Sequence, residues 1–200
     1  MSRDNGRRTA EKPVGVLAIQ GDFALHAKML DRIGARWKLV KHVRDLDGVA
    51  GLILPGGEST TMLNVFDDEH MDHAIKTFAA SGHPIFGTCA GTILLAKEVL
   101  NPPQERLGLM DITVERNAYG RQIDSSVRRG ACPELVDRPV EMVFIRAPII
   151  RRVGEGLRVL GRVDGLPVLV EQEKLLAATF HPELTEDETV HRYFLKKLPD

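Results

Sequence analysis

Two short, almost wholly apolar runs constrain this chain most: 14–19 (Val14-Gly15-Val16-Leu17-Ala18-Ile19) and 51–54 (Gly51-Leu52-Ile53-Leu54), each closed by a glycine-bearing turn and followed by an amphipathic stretch. A strand apolar at every position has both faces buried, which happens when crossover helices cover a parallel sheet. Gly21 opens a helix whose Phe23, Ala27, Leu30 and Ile33 recur on one face, with Gly34 as its stop. A second strand is predicted over 37–43, a long helix over 62–80, a strand over 83–86 and a helix over 90–97. The second half reads differently: 111–116, 140–145 and a hairpin across Asp164-Gly165 are strands with few helices between them. The expectation is an α/β fold, a three-layer sandwich around a mixed, mostly parallel sheet. The last helix carries a capping-box pattern at Thr185 and Glu188, with Lys196 and Lys197 near its end.

Composition narrows the possibilities. The formal net charge of −1 over 200 residues suggests neither nucleic acid nor an anionic membrane as partner. No apolar run approaches the ~20 residues of a membrane span, and the polar first twelve residues read as a disordered extension on a cytoplasmic protein, with 13–200 a single domain. Two cysteines, Cys89 and Cys132, offer no metal-ligand spacing, and no cofactor is implied.

Cys89 lies in Gly87-Thr88-Cys89-Ala90-Gly91, a small-residue turn from the 83–86 strand to the next helix. Such an elbow exposes a nucleophile at the sheet rim, and a helix N-terminus there favours the thiolate. The base is sought among seven histidines, and His181 in Phe180-His181-Pro182-Glu183-Leu184 stands out. Pro182 disfavours helical geometry at His181, so an extended segment is expected to hold His181 and Glu183 on one side, with the carboxylate selecting the imidazole tautomer. The turn Pro55-Gly56-Gly57-Glu58-Ser59 ends another strand at the same rim and can converge backbone N–H groups, with that of Ala90, on an oxyanion. These parts outline acyl transfer through a Cys89-His181-Glu183 triad. His26, His42, His70, His73, His83 and His191 read as solvated, and Cys132 as incidental. Taken singly, each piece also has a plain reading: a buried small thiol, a loop tripeptide, a turn.

With these residues in place, the chain resembles the class I (triad) glutamine amidotransferases and, within them, the glutaminase subunits of pyridoxal 5′-phosphate synthases. The segments carrying the narrower resemblance are Gly15-Val16-Leu17-Ala18-Ile19-Gln20-Gly21, Leu54-Pro55-Gly56-Gly57-Glu58-Ser59-Thr60, Glu115-Arg116-Asn117-Ala118-Tyr119-Gly120-Arg121-Gln122, Phe144-Ile145-Arg146-Ala147-Pro148 and Phe180-His181-Pro182-Glu183-Leu184-Thr185. The resemblance implies that Cys89 attacks the side-chain amide of L-glutamine, that His181 moves the proton and that Glu183 orients His181. It implies a glutamine site of Gly57, Glu58, Ser59, Arg116, Ile145 and Arg146, and an oxyanion hole of Gly57 and Ala90. It further implies a partner, a (β/α)8 synthase subunit with twelve copies of each chain in the complex, which consumes the ammonia. Asp22, Leu25, Tyr119 and Ser126 depart from the family pattern in regions expected to face that partner. A glutaminase for another ammonia acceptor, a catalytically silent regulator and a partner-independent cysteine hydrolase remain alternatives.

Overall fold

The computed structural model describes residues 12–116 and 125–199. The expected N-terminal extension, apart from Lys12, and the 117–122 part of the family-like segment lie outside them. The first half builds β1 (Val14–Leu17), α1 (Phe23–Arg32), β2 (Trp37–Val40), β3 (Gly51–Leu54), α2 (Ser59–Glu69), α3 (Met71–Ala80), β4 (Ile85–Thr88), α4 (Ala90–Leu95) and β5 (Ala96–Leu100). The second builds β6 (Met110–Glu115), β7 (Ser125–Gly130), β8 (Val140–Ile145), β9 (Ile149–Val153), β10 (Arg158–Val163), β11 (Leu166–Gln172), β12 (Leu175–Ala178) and α5 (Thr189–Leu195).

The central sheet has the order β10-β11-β12-β4-β3-β1-β2. Pairing is parallel from β12 through β2 and antiparallel for β10–β11 and β11–β12, so the sheet is mixed and mostly parallel, as expected. Its period of two sorts the side chains. Leu17, Leu52, Leu54, Ile85 and Ala177 meet Met62, Phe66, Ile75 and Leu94 on one face. Val14, Val16, Ile53, Phe86 and Leu176 meet Leu30, Phe144, Val190 and Phe194 on the other. The covers are α2, α3, α4 and the three-stranded sheet β5-β6-β9 on the first face, and α1, α5 and the ribbon β7–β8 on the second. This is the three-layer sandwich.

Several boundaries differ from the sequence reading. The 37–43 strand stops at Val40, and a 3-10 turn follows at Val43–Leu46. The 62–80 helix starts earlier, at Ser59, because the Glu58 side chain accepts from Thr60 N and caps it; His70, at φ 56°, divides it in two. A left-handed residue cannot continue a helix, and neither glycine nor proline marks this one. The 90–97 helix ends at Leu95 because Ala96 pairs with Met110 and turns the chain into β5. The capping box is absent: Thr185 Oγ1 bonds Pro182 O, and Asp187 Oδ1 accepts from Thr189 N instead.

Candidate active site

Sheet register brings the site together. Ala178 pairs with Thr88 and Leu54 with Gly87, so β3, β4 and β12 release the chain at one rim, and Cys89 N donates to Ala178 O at 2.8 Å. Cys89 sits at φ 45°, ψ −100°, a strained conformation for a residue with a Cβ. The sharp turn requires α4 to cross β3 and β4 closely, and a Cβ at Gly91 would collide with Leu54 O. Thr92 Oγ1 fastens the crossing through Gly87 O at 3.1 Å and Ala178 O at 2.7 Å. Cys89 is 7% exposed, at the floor of the rim, with Sγ 3.9 Å from Ile145 O.

His181 follows β12 and is tied to β8 through its N–H to Val143 O at 2.8 Å. The segment after it is a 3-10 turn (Pro182–Leu184), not the extended stretch expected, and the turn is what folds Glu183 back onto the ring. His181 Nδ1 bonds Glu183 Oε1 at 2.8 Å, leaving Nε2 for the neighbouring Cys89. Burial alone would lower the His181 pKa, but the bonds and charges of Cys89 and Glu183 outweigh it and raise it to about 10. Burial pushes the Glu183 carboxyl up, against the opposing bond and charge of His181. Gly56 is required here for space, because a Cβ would run into His181 Cε1.

The other predicted residues divide. Arg116 lies 3.5 Å from Glu58 Oε1, and the Glu58 carboxyl is held below its ordinary range, chiefly by the Thr60 hydroxyl, with the Arg116 and Arg146 charges adding to it. Glu58, Arg116 and Arg146 are therefore coupled in one charged group, and Arg146 follows Ile145, whose carbonyl faces the sulfur. Arg146 itself is bent to φ 45°. Gly57 stands at φ 153°, and the next N–H, that of Glu58, donates to Gln20 Oε1 at 2.7 Å. Ala90, as first residue of α4, has an N–H with no acceptor inside the helix. Ser59 is not brought in through its hydroxyl, which is 2% exposed and donates to Gln104 Oε1 at 2.9 Å.

Two histidines read as solvated are buried. His26 and His191 are both 0% exposed, joined Nδ1 to Nε2 at 2.9 Å directly behind Glu183. The missed signal is positional: His26 lies three residues after Phe23 and four before Leu30, on the apolar face of α1. Asp22 brings a second carboxylate 3.6 Å from His181 Nδ1. Ligand atoms of Asp22, His181 and Glu183 lie within 4.8 Å of one another, but a cation among them would compete for the Nδ1 that already bonds Glu183.

Fold and site geometry define a class: α/β proteins that carry a Cys-His-Glu constellation at a strained strand-to-helix elbow. The model of the SNO glutamine amidotransferase family matches residues 16–200, and the chain belongs to that family. It is 54% identical over 192 residues to "Pyridoxal 5′-phosphate synthase subunit PdxT" of Solibacter usitatus, covering 94% of this chain and 100% of that one. The protein of the same name from Thermus thermophilus is 51% identical over 185 residues, covering 92% and 96%. A solved glutamine amidotransferase superposes with TM-score 0.87 at 47% identity, covering 92% and 97%.

Proposed function

We propose that this chain is the glutaminase subunit of a pyridoxal 5′-phosphate synthase. The observation that carries the chemistry is the single imidazole bonded to a carboxylate and set beside the thiol of the elbow. With its pKa raised to about 10, His181 already holds the proton on Nε2 at neutral pH as the Cys89 sulfur attacks the side-chain amide carbon of L-glutamine. It gives that proton to the departing nitrogen, so ammonia leaves and a glutamyl thioester remains. Water, deprotonated by the same nitrogen, then adds to the thioester; the C–S bond breaks, the thiol is restored and glutamate leaves. Glu183 keeps Nδ1 protonated and steadies the imidazolium.

The N–H groups of Gly57 and Ala90 receive the developing oxyanion, each worth roughly 3 kcal/mol in acyl transfer. Arg116 and Arg146 suit the carboxylate of the substrate and Glu58 its ammonium, with Gly57, Ser59 and Ile145 completing the wall. The proposed ammonia acceptor is a (β/α)8 synthase subunit, twelve copies of each chain in one complex, and the names of the relatives support a synthase assembly. Residues 13–200 act as one domain, and the setting is the cytoplasm; both cysteines are free, which fits a reducing compartment. Among the described residues no helix is long and apolar enough to cross a membrane.

The test is glutamate release from glutamine with and without the matching synthase. Activity is expected in the complex, and Cys89→Ala and His181→Asn are each expected to abolish it while leaving binding to the synthase intact by gel filtration. Ammonia from the alanine variant at the wild-type rate would overturn the nucleophile assignment.

A further inference from the structure

Only one oxygen of Glu183 is bonded in the triad. Oε1 accepts from His181, whereas Oε2 is buried and makes no hydrogen bond. The facing group is His26 Nε2, 3.4 Å away, with both side chains fully buried. His26 Nε2 is also 3.1 Å from Thr88 Oγ1, and His26 Nδ1 is 2.9 Å from His191 Nε2. One proton lies between those two rings. If His26 Nδ1 held it, Nε2 would turn a lone pair toward the carboxylate, and the neutral His191 would bury an N–H at Nδ1, which has no partner. With the proton on His191 Nε2, His26 keeps its own on Nε2, directed to Thr88 with Glu183 Oε2 close beside it, and the unpartnered His191 Nδ1 is a bare acceptor, the cheaper orphan.

We infer that His26 is a positioning residue for the triad: its Nε2–H supports the second oxygen of Glu183, and His191 fixes the tautomer that makes this possible. This rests on the glutaminase reading. His26 keeps its proton and divides the Nε2–H between the Thr88 hydroxyl and the Glu183 oxygen, which helps the carboxylate balance the His181 imidazolium. Burial holds the pKa of His26 well below its ordinary value, helped by the charges of His191 and His181, and burial lowers that of His191 to about 3. Both rings are therefore neutral across the working range and supply a donor without adding charge. Glu183 is faced by His181 in its own segment, with Cys89 beyond it on the β4–α4 elbow. His26 and Asp22 face it from α1 and its cap, with His191 of α5 behind His26. Asp22 is the like charge that raises its pKa.

A carboxylate that loses a donor protonates at higher pH, and Glu183 must be ionised to orient His181. Losing the His26 donor therefore moves the acidic limb of the kcat profile upward. A purely structural loss lowers the amount of working enzyme and leaves the limb in place. The test compares His26→Gln, whose amide nitrogen reaches the Nε2 position, with His26→Asn, whose nitrogen reaches only Nδ1, both assayed as the complex with the synthase. Gln is expected to keep kcat within about threefold and the limb unmoved. Asn is expected to lower kcat about tenfold, leave KM for glutamine unchanged and raise the limb by about one pH unit. Equal behaviour of the two variants overturns the inference. Should Asn lose its circular dichroism signature, Thr88→Val gives the complementary reading, because removing the competing acceptor should lower the limb; an unmoved limb overturns the inference. Failure of the glutaminase reading is separable, since it shows as no glutamate from the wild-type complex. NMR titration of His181 in each variant reads the same coupling without turnover.

Discussion

Cys89 and Cys132 are both largely buried, yet only one is placed to react. Burial, with the Asp187 charge, pushes the Cys132 thiol up to about 11, and the residue is 1% exposed. Cys89 instead sits at the open rim against His181. An electrophilic glutamine analogue is therefore expected to label Cys89 and leave Cys132 untouched, read by mass spectrometry of the digested protein. Label on Cys132 at a comparable rate would remove the argument for a selective thiol. Gly56 makes a second residue-scale case, because the β-methyl of an alanine would meet the His181 ring. Gly56→Ala is expected to cut kcat by about 100-fold, the cost of a displacement near 1 Å in the reacting groups. Circular dichroism should stay unchanged and the thermal midpoint nearly so. That Cys89, His181 and Glu183 would meet was legible in the sequence because a cysteine in a glycine-flanked turn and a histidine locked before proline are local signals. His26 and His191 were not, since a polar residue on an apolar helix face declares its burial only once the opposing helix is in place.

At the scale of elements, α5 shows how a cap can be misplaced by three residues of pattern. Thr185 and Glu188 have capping-box spacing, but the 3-10 turn that positions Glu183 draws the Thr185 hydroxyl back to Pro182 O. Asp187 takes over: Oδ1 accepts from Thr189 N at 3.0 Å, and Oδ2 accepts from Arg138 at 2.6 Å, so the carboxylate both caps α5 and ties it to the chain leading into β8. Burial would raise this carboxyl, but the Arg138, Thr189 and Glu141 bonds outweigh it and hold it far below the usual range. A carboxyl lowered in the folded state stabilises above its unfolded value near 4, and loses that contribution as pH falls toward the folded value. Asp187→Asn is expected to lower unfolding free energy by about 1 kcal/mol at pH 7. The gap to the wild type should narrow below pH 4, measured by urea titration at both pH values. A gap that widens in acid would contradict the assignment. The breaks at His70 and Ala96 were hidden for a related reason: a left-handed residue without glycine, and a strand start fixed by pairing with Met110, are tertiary choices made over local propensity.

For the whole molecule, alternation of apolar runs and amphipathic stretches was enough to read the parallel sheet, since only a doubly covered strand is apolar on both faces. The fate of the second half was less visible. Of its strands, β10, β11 and β12 complete the central sheet, while β6, β9, β7 and β8 become covers, and nothing in a strand's own sequence states which sheet it will join. That division matters for function. Because β12 slots beside β4, an imidazole some ninety residues from the thiol in sequence reaches it, and the two meet at the C-terminal ends of β3, β4 and β12. Ammonia made there and released into neutral water would be protonated and lose its nucleophilicity, so the proposed reaction is productive only if the synthase receives it before it equilibrates with solvent. In the complex, an ammonia-consuming enzyme added to the solution is therefore expected to leave the yield of pyridoxal 5′-phosphate per glutamine unchanged. The same trap should abolish synthesis when ammonium chloride replaces glutamine as nitrogen source. If the trap suppressed both equally, ammonia would be passing through bulk water, and the proposed coupling of this glutaminase to a synthase would lose its chemical rationale.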